Sequence, residues 1–318
     1  MKEEEYGFRR FGIRKPQLIH NGSIVGTHGH SSDTDYTAYI QAMNIATIDI
    51  ETLAEFLGRH RRIAVLTGAG ISLAAGIPTY RDEHGNRLNS EPIKHQEFLA
   101  DPAQRQRYWS RSFRGWPAVS SAQPTRAHKT LTQFQSAGHI DTIITQNVDR
   151  LHQRAGSQRV TDLHGRLDHV LCLGCNAVHH RDEIQTQLHL HNGPAAAVAN
   201  NRPDGDADLD ASVARQFIVP NCPICDGILM PDVVFFGGTV PAQRVKHCMN
   251  AIEQADALLA IGSSLQVFSG FRFCRKASQL GKPLLIINPG TTRADDLAQL
   301  KLGTDCQDLL DNTYKTLY

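Results

Sequence analysis

The chain has 318 residues, enough for one large or two modest domains, and its 41% hydrophobic and 20% charged residues are typical of a folded globular protein. Its 33 basic and 32 acidic residues give a formal net charge of +1. This balance excludes a global field that attracts nucleic acid or an anionic membrane, so we expect neither a specific nucleic-acid partner nor a membrane.

The amino-terminal segment, residues 1–48, is predicted to be an extension outside the folded core. It is rich in Gly, Ser, Thr and Asp and shows little periodicity. Its start, MKEEEYGFRR, has neither the apolar run of a secretory signal nor the composition of a transit peptide. We therefore expect a cytoplasmic protein, and a mitochondrial one only if the source is eukaryotic.

Strands and helices alternate after this segment. Helical spacing of apolar residues predicts a helix over 49–60, and short apolar runs predict strands at Ile63–Leu66, Thr142–Thr145, Ala257–Ile261 and Leu284–Ile287. Further predicted elements are helices over 105–116, 126–137, 241–255 and 269–280, a helix start over 73–79, a short strand before Leu163 and a strand at Val233–Phe236. The alternation predicts an α/β fold built on a Rossmann-like, doubly wound parallel sheet.

Residues 168–227 interrupt the alternation and are predicted to form a smaller zinc-binding module. This segment contains two cysteine pairs separated by a Pro-, Gly-, Asn- and Asp-rich stretch that favours a loop. The Rossmann-like domain is then made of residues 49–167 and 228–318, with a helical insert at about 85–120.

The two C-x2-C pairs are the most specific pattern in the sequence. Cys172 and Cys175 form one pair, and Cys222 and Cys225 form the other. Four thiolates saturate a tetrahedral Zn²⁺ and leave no open position, so one structural zinc ion per chain is predicted. The 46 residues between the pairs exceed the spacing of a compact zinc ribbon, but closure entropy grows only slowly with loop length. The alternative interpretation is four unrelated thiols.

Four predicted strand ends carry small or polar residues, in the stretches TGAG, TQNVD, GSS and NPG. Ligands of open α/β sheets bind at the carboxyl ends of the strands, so these turns favour a nucleotide site. The first turn contains Gly68 and Gly70, but Leu73 stands where a dinucleotide fingerprint has its third glycine, and Leu88 stands near the expected acid. A dinucleotide bound in a geometry unlike that of ordinary dehydrogenases is the resulting prediction.

Three polar residues near the second of these strand ends and beyond it are candidate catalytic groups. His164 lies just before Gly165 at a predicted strand end, and an imidazole with its usual pKa of ~6.5 is suited to act as a base near neutrality. Asn147 and Asp149 are the other two candidates. The alternatives are a packed histidine and two ordinary turn residues.

These motifs together resemble the sirtuins, the NAD-dependent protein deacylases. The resemblance covers about residues 51–312 and rests on GAGISLAAGIPTYRD (68–82), TQNVDRLH (145–152), LHG (163–165), the cysteine pairs, PDVVFFG (231–237), GSSLQV (262–267) and INPG (287–290). RQRYWSRSFRGWP (105–117), HVLCLGC (169–175) and PDGD (203–206) are most like class II sirtuins.

The resemblance implies that NAD is a consumed co-substrate and that acyl-lysine proteins are the partners. The acyl oxygen attacks the ribose carbon that bears nicotinamide, and His164 deprotonates a ribose hydroxyl, which leads to O-acyl-ADP-ribose and free lysine. The substrate peptide is expected to add as a strand between Val234–Gly237 and the segment after Ser264. The implied NAD-binding residues are Gly68, Ala69, Gly70, Ser72, Gly76, Ile77, Pro78, Tyr80, Arg81, Gln146, Asn147, Val148, Asp149, Gly262, Ser263, Ser264, Asn288, Pro289, Gly290 and Cys306.

Three departures from the family pattern bear on specificity. Thr79 stands where class II sirtuins often have Asp, and Gly238 replaces a common acidic residue. The Tyr-x-x-Arg pair that reads acidic acyl groups is not evident after Arg81, which disfavours a desuccinylase. Two other functions remain as alternatives: mono-ADP-ribosyl transfer to protein on the same fold, and a zinc-containing nucleic-acid-binding module.

Overall fold

The computed structural model describes residues 32–82, 84–88, 92–193 and 216–318, with side chains described from residue 46 onward. Contacts between residues divide the chain into two units, residues 1–43 and 44–318. The first unit contributes the beginning of helix α1 (Ser32–Arg59), so the boundary expected at residue 48 falls inside this helix. Most of the predicted extension and the PDGD motif at 203–206 lie outside the described residues.

A six-stranded parallel sheet forms the larger layer of the second unit, with the order β3-β2-β1-β7-β8-β9. Its strands are β1 (Ile63–Thr67), β2 (Ile140–Thr145), β3 (Val160–Asp162), β7 (Ala257–Ile261), β8 (Leu284–Ile287) and β9 (Leu300–Leu302). The chain leaves β1 on one side for β2 and later returns on the other side through β7. The predicted Rossmann-like doubly wound sheet is confirmed, and the order reverses at β1.

β1, β7 and β8 are buried along their whole length and expose no polar face. Both faces of this sheet must therefore be covered, and helices cover them. The apolar side of α1, with Leu53, Phe56 and Leu57, packs on one face together with α4 (Arg126–Ser136) and α9 (Cys306–Leu317). The other face packs against α7 (Ala242–Gln254) and α8 (Phe268–Gln279). The ends of α4, α7 and α8 agree with the predicted helices at 126–137, 241–255 and 269–280 within one residue, whereas α1 begins at Ser32 instead of residue 49, and α9 was not predicted.

A second, three-stranded sheet carries the cysteine pairs. Its antiparallel order is β5-β4-β6, with β4 (Gly165–Cys172), β5 (Val178–His180) and β6 (Leu229–Val233). Its helical neighbours are α2 (His95–Ala100), α3 (Pro102–Ser121) and α6 (Arg181–Asn192). Phe98, Trp109 and Phe235 contribute to the apolar core of this part of the molecule.

The strand predicted at Val233–Phe236 is wrong in position and in partner. The observed strand is β6, which ends at Val233 and pairs with β4 instead of joining the parallel sheet. An apolar run alone does not specify which sheet a strand joins. The cysteine pairs indicate the smaller sheet, because Cys172 at the end of β4 lies opposite Leu229 at the start of β6. The module boundary expected between residues 227 and 228 therefore falls immediately before a strand of the smaller sheet.

The predicted helix start at 73–79 is displaced. A 3-10 helix spans Ala69–Ala75 and ends at Gly76, whose φ of 81° is in the left-handed region that favours glycine. A short helix, α5 (Leu151–Arg154), follows β2. In the part of the chain that the structure describes, no helix is long and apolar enough to cross a bilayer.

Candidate active site

A cavity of about 690 Å³ lies at the carboxyl ends of β1, β2, β7 and β8 and extends toward the smaller sheet. This is the edge of the sheet at which the four polar strand ends were predicted to meet. The structure brings most of the predicted site residues to its wall: Gly68, Ala69, Gly70, Tyr80, Arg81, Gln146, Asn147, Val148, His164, Gly262, Ser263, Ser264, Asn288, Pro289, Gly290 and Cys306.

Three glycines allow two strand ends to cross at the floor of the cavity. The amide of Gly70 donates to the carbonyl oxygen of Gly262 over 2.8 Å. A Cβ atom on Gly70 would lie 2.9 Å from the Gly262 Cα, and one on Gly68 would lie 2.6 Å from the Ser263 Cβ. Gly262 itself has a φ of 60°. Glycine is required here for close approach of two backbones, which the incomplete dinucleotide fingerprint did not reveal.

The amide side chains after β2 fasten the neighbouring turns. Gln146 Nε2 donates to Ser263 Oγ over 2.8 Å and to the Thr67 carbonyl oxygen over 3.2 Å. Asn147 Nδ2 donates to the Gly68 carbonyl oxygen over 3.0 Å. These bonds join the carboxyl ends of β1, β2 and β7 and hold the polar wall of the cavity in place.

Asp149 and Ser72 form a buried pair behind that wall. Ser72 Oγ donates to one Asp149 carboxylate oxygen over 2.7 Å, and the Leu151 amide donates to the other over 2.9 Å. Burial raises the pKa of the Asp149 carboxyl, although these two donors partly offset it. Asp149 therefore acts in this structure as an anchor for the 3-10 helix and for α5, and its carboxylate does not face the cavity.

Five predicted site residues do not line the cavity among the described residues: Ser72, Gly76, Ile77, Pro78 and Asp149. The backbone amides of Gly76 and Ile77 close the 3-10 helix by donating hydrogen bonds to the carbonyl oxygens of Leu73 and Ser72, respectively. Their contribution is to the shape of the turn. Gly68 is the N-cap of this 3-10 helix, and Ser72 lies inside it.

His164 is held at both ring nitrogens at the junction of the two sheets. Its Nδ1 lies 2.8 Å from the Gln146 carbonyl oxygen, which only accepts, so Nδ1 carries the proton. Its Nε2 lies 2.7 Å from Ser269 Oγ. Burial lowers the pKa of His164, and the positive charges of Arg244 and Arg272 lower it further. The imidazole is thus neutral near pH 7, with its lone pair on Nε2.

The residue after His164 fixes its position. Gly165 has a φ of 87°, and a Cβ atom there would lie 2.1 Å from the Asp232 carbonyl oxygen. The His164 carbonyl oxygen accepts from the Val234 amide over 2.7 Å. The LHG motif is therefore the point at which the start of β4 meets the end of β6, which is why only glycine fits at position 165.

Several cavity residues were missed by the sequence analysis. Ile93 and Tyr108 line an apolar end of the cavity beside Phe235, and Arg87 lies 4.9 Å above the Phe236 ring. The other missed group is in the first turns of α8: Ser269, which also lines the cavity; Gly270, beside the Gln146 side chain; and Arg272, a lining residue. A serine and a glycine opening a helix directly after GSSLQV were the available signal.

Cys306 contributes the start of α9 to the cavity wall. Burial raises the pKa of its thiol to about 12, so the sulfur stays protonated and is not a nucleophile.

The four cysteine sulfurs form a candidate metal centre apart from the cavity. All four Sγ atoms lie within 4.8 Å of one another, with 3.4 Å between Cys172 and Cys225 and 3.9 Å between Cys175 and Cys222. Tetrahedral bonds of ~2.3 Å place sulfurs ~3.8 Å apart, so the donor set fits Zn²⁺. The Cys175 amide donates toward Cys172 Sγ and helps lower its pKa to about 6.

Comparison with known proteins identifies the family. A model of the Sir2 family matches residues 68–269. A protein from Xanthomonas axonopodis pv. citri named NAD-dependent protein deacetylase is 49% identical over 263 residues, covering 82% of this chain and 90% of the relative. A protein of the same name from Bordetella bronchiseptica is 48% identical, covering 82% of this chain and 96% of the relative. The chain belongs to the Sir2 family. The resemblance to sirtuins is confirmed, and the class II assignment stays a prediction.

Solved Sir2 structures agree with this assignment. A Sir2 complex with a p53 peptide and NAD⁺ superposes with a TM-score of 0.67 at 26% identity, covering 84% of this chain and 98% of that one. A Sir2 protein bound to an acetylated peptide gives the same TM-score, identity and coverage. The parallel sheet and the smaller sheet are therefore those of the family.

Proposed function

We propose that this Sir2 protein is an NAD-dependent protein deacetylase. Relatives of that name share about half of its residues over most of its length. The observation that carries the proposal is His164, a neutral base with a fixed tautomer, in the wall of a cavity that also contains the glycine turn after β1. A solved relative binds NAD⁺ and a peptide together, as this chemistry requires.

NAD is the co-substrate in this proposal, and the strand ends of the parallel sheet bind it. The backbone turn at Gly68, Ala69 and Gly70 suits the phosphates, because amides at a helix start attract anions. Tyr80, Arg81, Gln146, Asn147 and Val148 would surround the nicotinamide half, and Gly262, Ser263, Ser264, Asn288, Pro289, Gly290 and Cys306 the adenosine half. Ser72, Gly76, Ile77, Pro78 and Asp149 would shape this site from behind.

An acyl-lysine side chain would enter beside the smaller sheet. Val234, Phe235 and Phe236 line the cavity on one side, and Leu265 and Val267 line it on the other. A peptide strand between these two segments would place its acyl oxygen near the ribose, after which nicotinamide leaves and His164 takes up a ribose hydroxyl proton. The products are nicotinamide, O-acyl-ADP-ribose and deacylated lysine.

One Zn²⁺ per chain is assigned to Cys172, Cys175, Cys222 and Cys225. Four thiolates leave no position for water or substrate, so the ion would join β4 to β6 and supply no catalytic chemistry. Sulfurs this close without a disulfide are consistent with shared ligation of a metal.

Partners and location complete the proposal. The protein partners are acyl-lysine substrates, and the net charge of +1 supports the expectation of no specific nucleic-acid partner. A cytoplasmic location is supported by the cysteines, since none of the seven forms a disulfide and four are assigned to zinc, as in a reducing compartment.

The fate of labelled NAD tests the function against its main alternative. Purified protein is incubated with NAD labelled in the adenine ring and an acetylated peptide, and the label is separated by size. Deacetylation places the label in a small acylated product. Label fixed on protein instead would support mono-ADP-ribosyl transfer, and unreacted NAD would reject both functions.

A further inference from the structure

The lone pair that makes His164 a base is already engaged by a hydroxyl group. Because the Gln146 carbonyl oxygen holds the proton on Nδ1, Nε2 has no hydrogen to donate. The Ser269 hydroxyl, 2.7 Å away, is therefore the donor and Nε2 the acceptor. Any proton that reaches Nε2 from the cavity must displace this hydroxyl or pass through it.

We propose that Ser269 is a proton relay between the ribose hydroxyl of NAD and His164. The inference rests on the deacetylase function proposed above and adds a residue to its mechanism. A serine hydroxyl accepts and donates at once, and Ser269 lines the same cavity as His164. A relay keeps the observed hydrogen bond, whereas direct transfer to Nε2 requires that it be broken.

The proton transfers balance in one step. The ribose O–H bond breaks as its oxygen bonds to the former acyl carbon, the C=N electron pair at that carbon moves onto the lysine nitrogen, and the ribose proton bonds to Ser269 Oγ. The original Ser269 proton moves to His164 Nε2. Serine ends neutral, and the imidazole ends as an imidazolium.

The start of α8 is built to hold Ser269 at this point. The N-cap of the helix is Val267, which makes no side-chain capping bond, and the Ser269 hydroxyl bonds to His164 rather than to the helix backbone. The next residue, Gly270, is buried, and a Cβ atom there would lie 2.4 Å from Gln146 Oε1. Gln146 thus contacts His164 through its carbonyl and fixes the turn that carries Ser269.

Arg272 supports the same arrangement from the third residue beyond Ser269. Its guanidinium lies 5.1 Å from the centre of the Phe268 ring and lines the cavity. Its charge is one of the causes that lower the pKa of His164, after burial. This keeps the acceptor nitrogen unprotonated at neutral pH until the relay delivers a proton.

The test compares Ser269→Thr, which keeps the hydroxyl, with Ser269→Val, which has nearly the same shape as threonine but no hydroxyl. A third variant, Ser269→Ala, also removes the hydroxyl but leaves a smaller side chain. Ser278→Ala, an exposed serine on the same helix, is the matched control. Single-turnover rates with NAD and an acetylated peptide are measured against pH and against the D₂O fraction of the solvent.

We expect Ser269→Val and Ser269→Ala to lower the single-turnover rate about 100-fold, while the KM for NAD and the thermal midpoint stay near wild type. Ser269→Thr and the Ser278→Ala control should retain most of the activity. A plot of the wild-type rate against the D₂O fraction should be curved, as expected for two moving protons. The same plot for the residual rate of Ser269→Val should be a straight line.

Two results would overturn the relay. One is a wild-type rate in both Ser269→Val and Ser269→Ala; the other is a straight-line D₂O dependence in the wild-type protein, which would leave Ser269 a positioning role only. Failure of the proposed function has a different signature, since the wild-type protein itself would then form no small acylated product from NAD and the acetylated peptide.

Discussion

The two candidate sites of this molecule are built in opposite ways. The cysteine centre takes its four sulfurs from two short knuckles, each closed within four residues of sequence. The cavity takes its wall from the ends of four strands and from helices that begin after them. Polar contacts in the cleft therefore cross long stretches of sequence: Gln146 bonds to Ser263, and His164 bonds to Ser269.

This difference predicts how each site responds to damage. Loss of one ligand from a closed metal set removes the metal and the contacts that depend on it, so stability suffers first. Loss of one contact in the cleft leaves the fold in place, because the sheet beneath it is buried independently. Activity should then change more than stability.

The largest effect on stability is expected for Cys172→Ser. The variant should lose its zinc and about 4 kcal/mol or more of unfolding free energy, because Cys172 is a buried ligand at the end of β4. Metal analysis and urea unfolding measure both quantities. Cys248→Ser, a buried cysteine outside the set, should keep one zinc and lose about 1–2 kcal/mol. Purified wild-type protein without zinc would reject the metal assignment.

A buried pair of histidines behind the ends of β1 and β2 should make the fold sensitive to acid. Burial lowers the pKa of His152 to about 3, and burial together with His152 lowers the pKa of His128 well below its usual value. Both rings are neutral in the folded protein but take up protons at about pH 6.5 when unfolded. Stability should therefore fall as the pH drops below 6.5, by up to about 1.4 kcal/mol per pH unit for each ring.

Urea unfolding at several pH values checks this expectation. His152→Gln should reduce the slope of stability against pH between about 6 and 4, whereas His180→Gln, an exposed histidine, should not. An unchanged slope in the His152 variant would contradict the assignment of a buried neutral ring.

A methyl group added where the turns after β1 and β7 cross should destabilise the protein, whereas one added on an open helix face should not. In Gly70→Ala the new Cβ meets the Gly262 backbone at 2.9 Å, so one turn must shift, at a cost of about 1–3 kcal/mol. We expect NAD affinity, measured by calorimetry, to fall as well. Gly58→Ala in helix α1 meets nothing within 4 Å and should gain up to about 1 kcal/mol. Equal effects of the two changes would argue against a close-approach role for Gly70.

The smallest effect on the single-turnover rate is expected for the Ser72–Asp149 pair, which lies behind the cavity wall. Ser72→Ala removes the donor to one Asp149 oxygen and leaves that oxygen buried, which should cost about 1–3 kcal/mol of stability. The single-turnover rate should fall less than for His164 variants, because the pair does not line the cavity. Ser136→Ala, at an exposed helix end, serves as the control. A rate loss without a stability loss would instead support the predicted roles of Asp149 in catalysis and of Ser72 in NAD binding.

The same contrast explains what the sequence predicted. The zinc ligands were readable because two residues between cysteines fix their approach locally. Four strands of the parallel sheet, β1, β2, β7 and β8, were readable because each is a short apolar run that is almost wholly buried, whereas the more exposed β9 was not predicted. The polar strand ends were identified as a site because four of them belong to one predicted sheet.

What the sequence could not predict depends on contacts between distant residues. The partner of β6 was misassigned because its apolar run fits either sheet. The hydrogen bonds that the Asp149 carboxylate accepts from Ser72 and from the Leu151 amide could not be read from the sequence. Ser269 and Gly270 were overlooked because their role exists only where α8 meets Gln146 and His164.

The most direct test of the account measures nicotinamide release from NAD with and without an acetylated peptide, in wild-type protein and in His164→Ala. We expect release by the wild-type protein only when both substrates are present, and a loss of about 100-fold or more in His164→Ala. That variant should still bind NAD, and His169→Ala, in strand β4 just beyond His164, should behave as wild type. Wild-type turnover in His164→Ala, or release that does not need the peptide, would contradict the account.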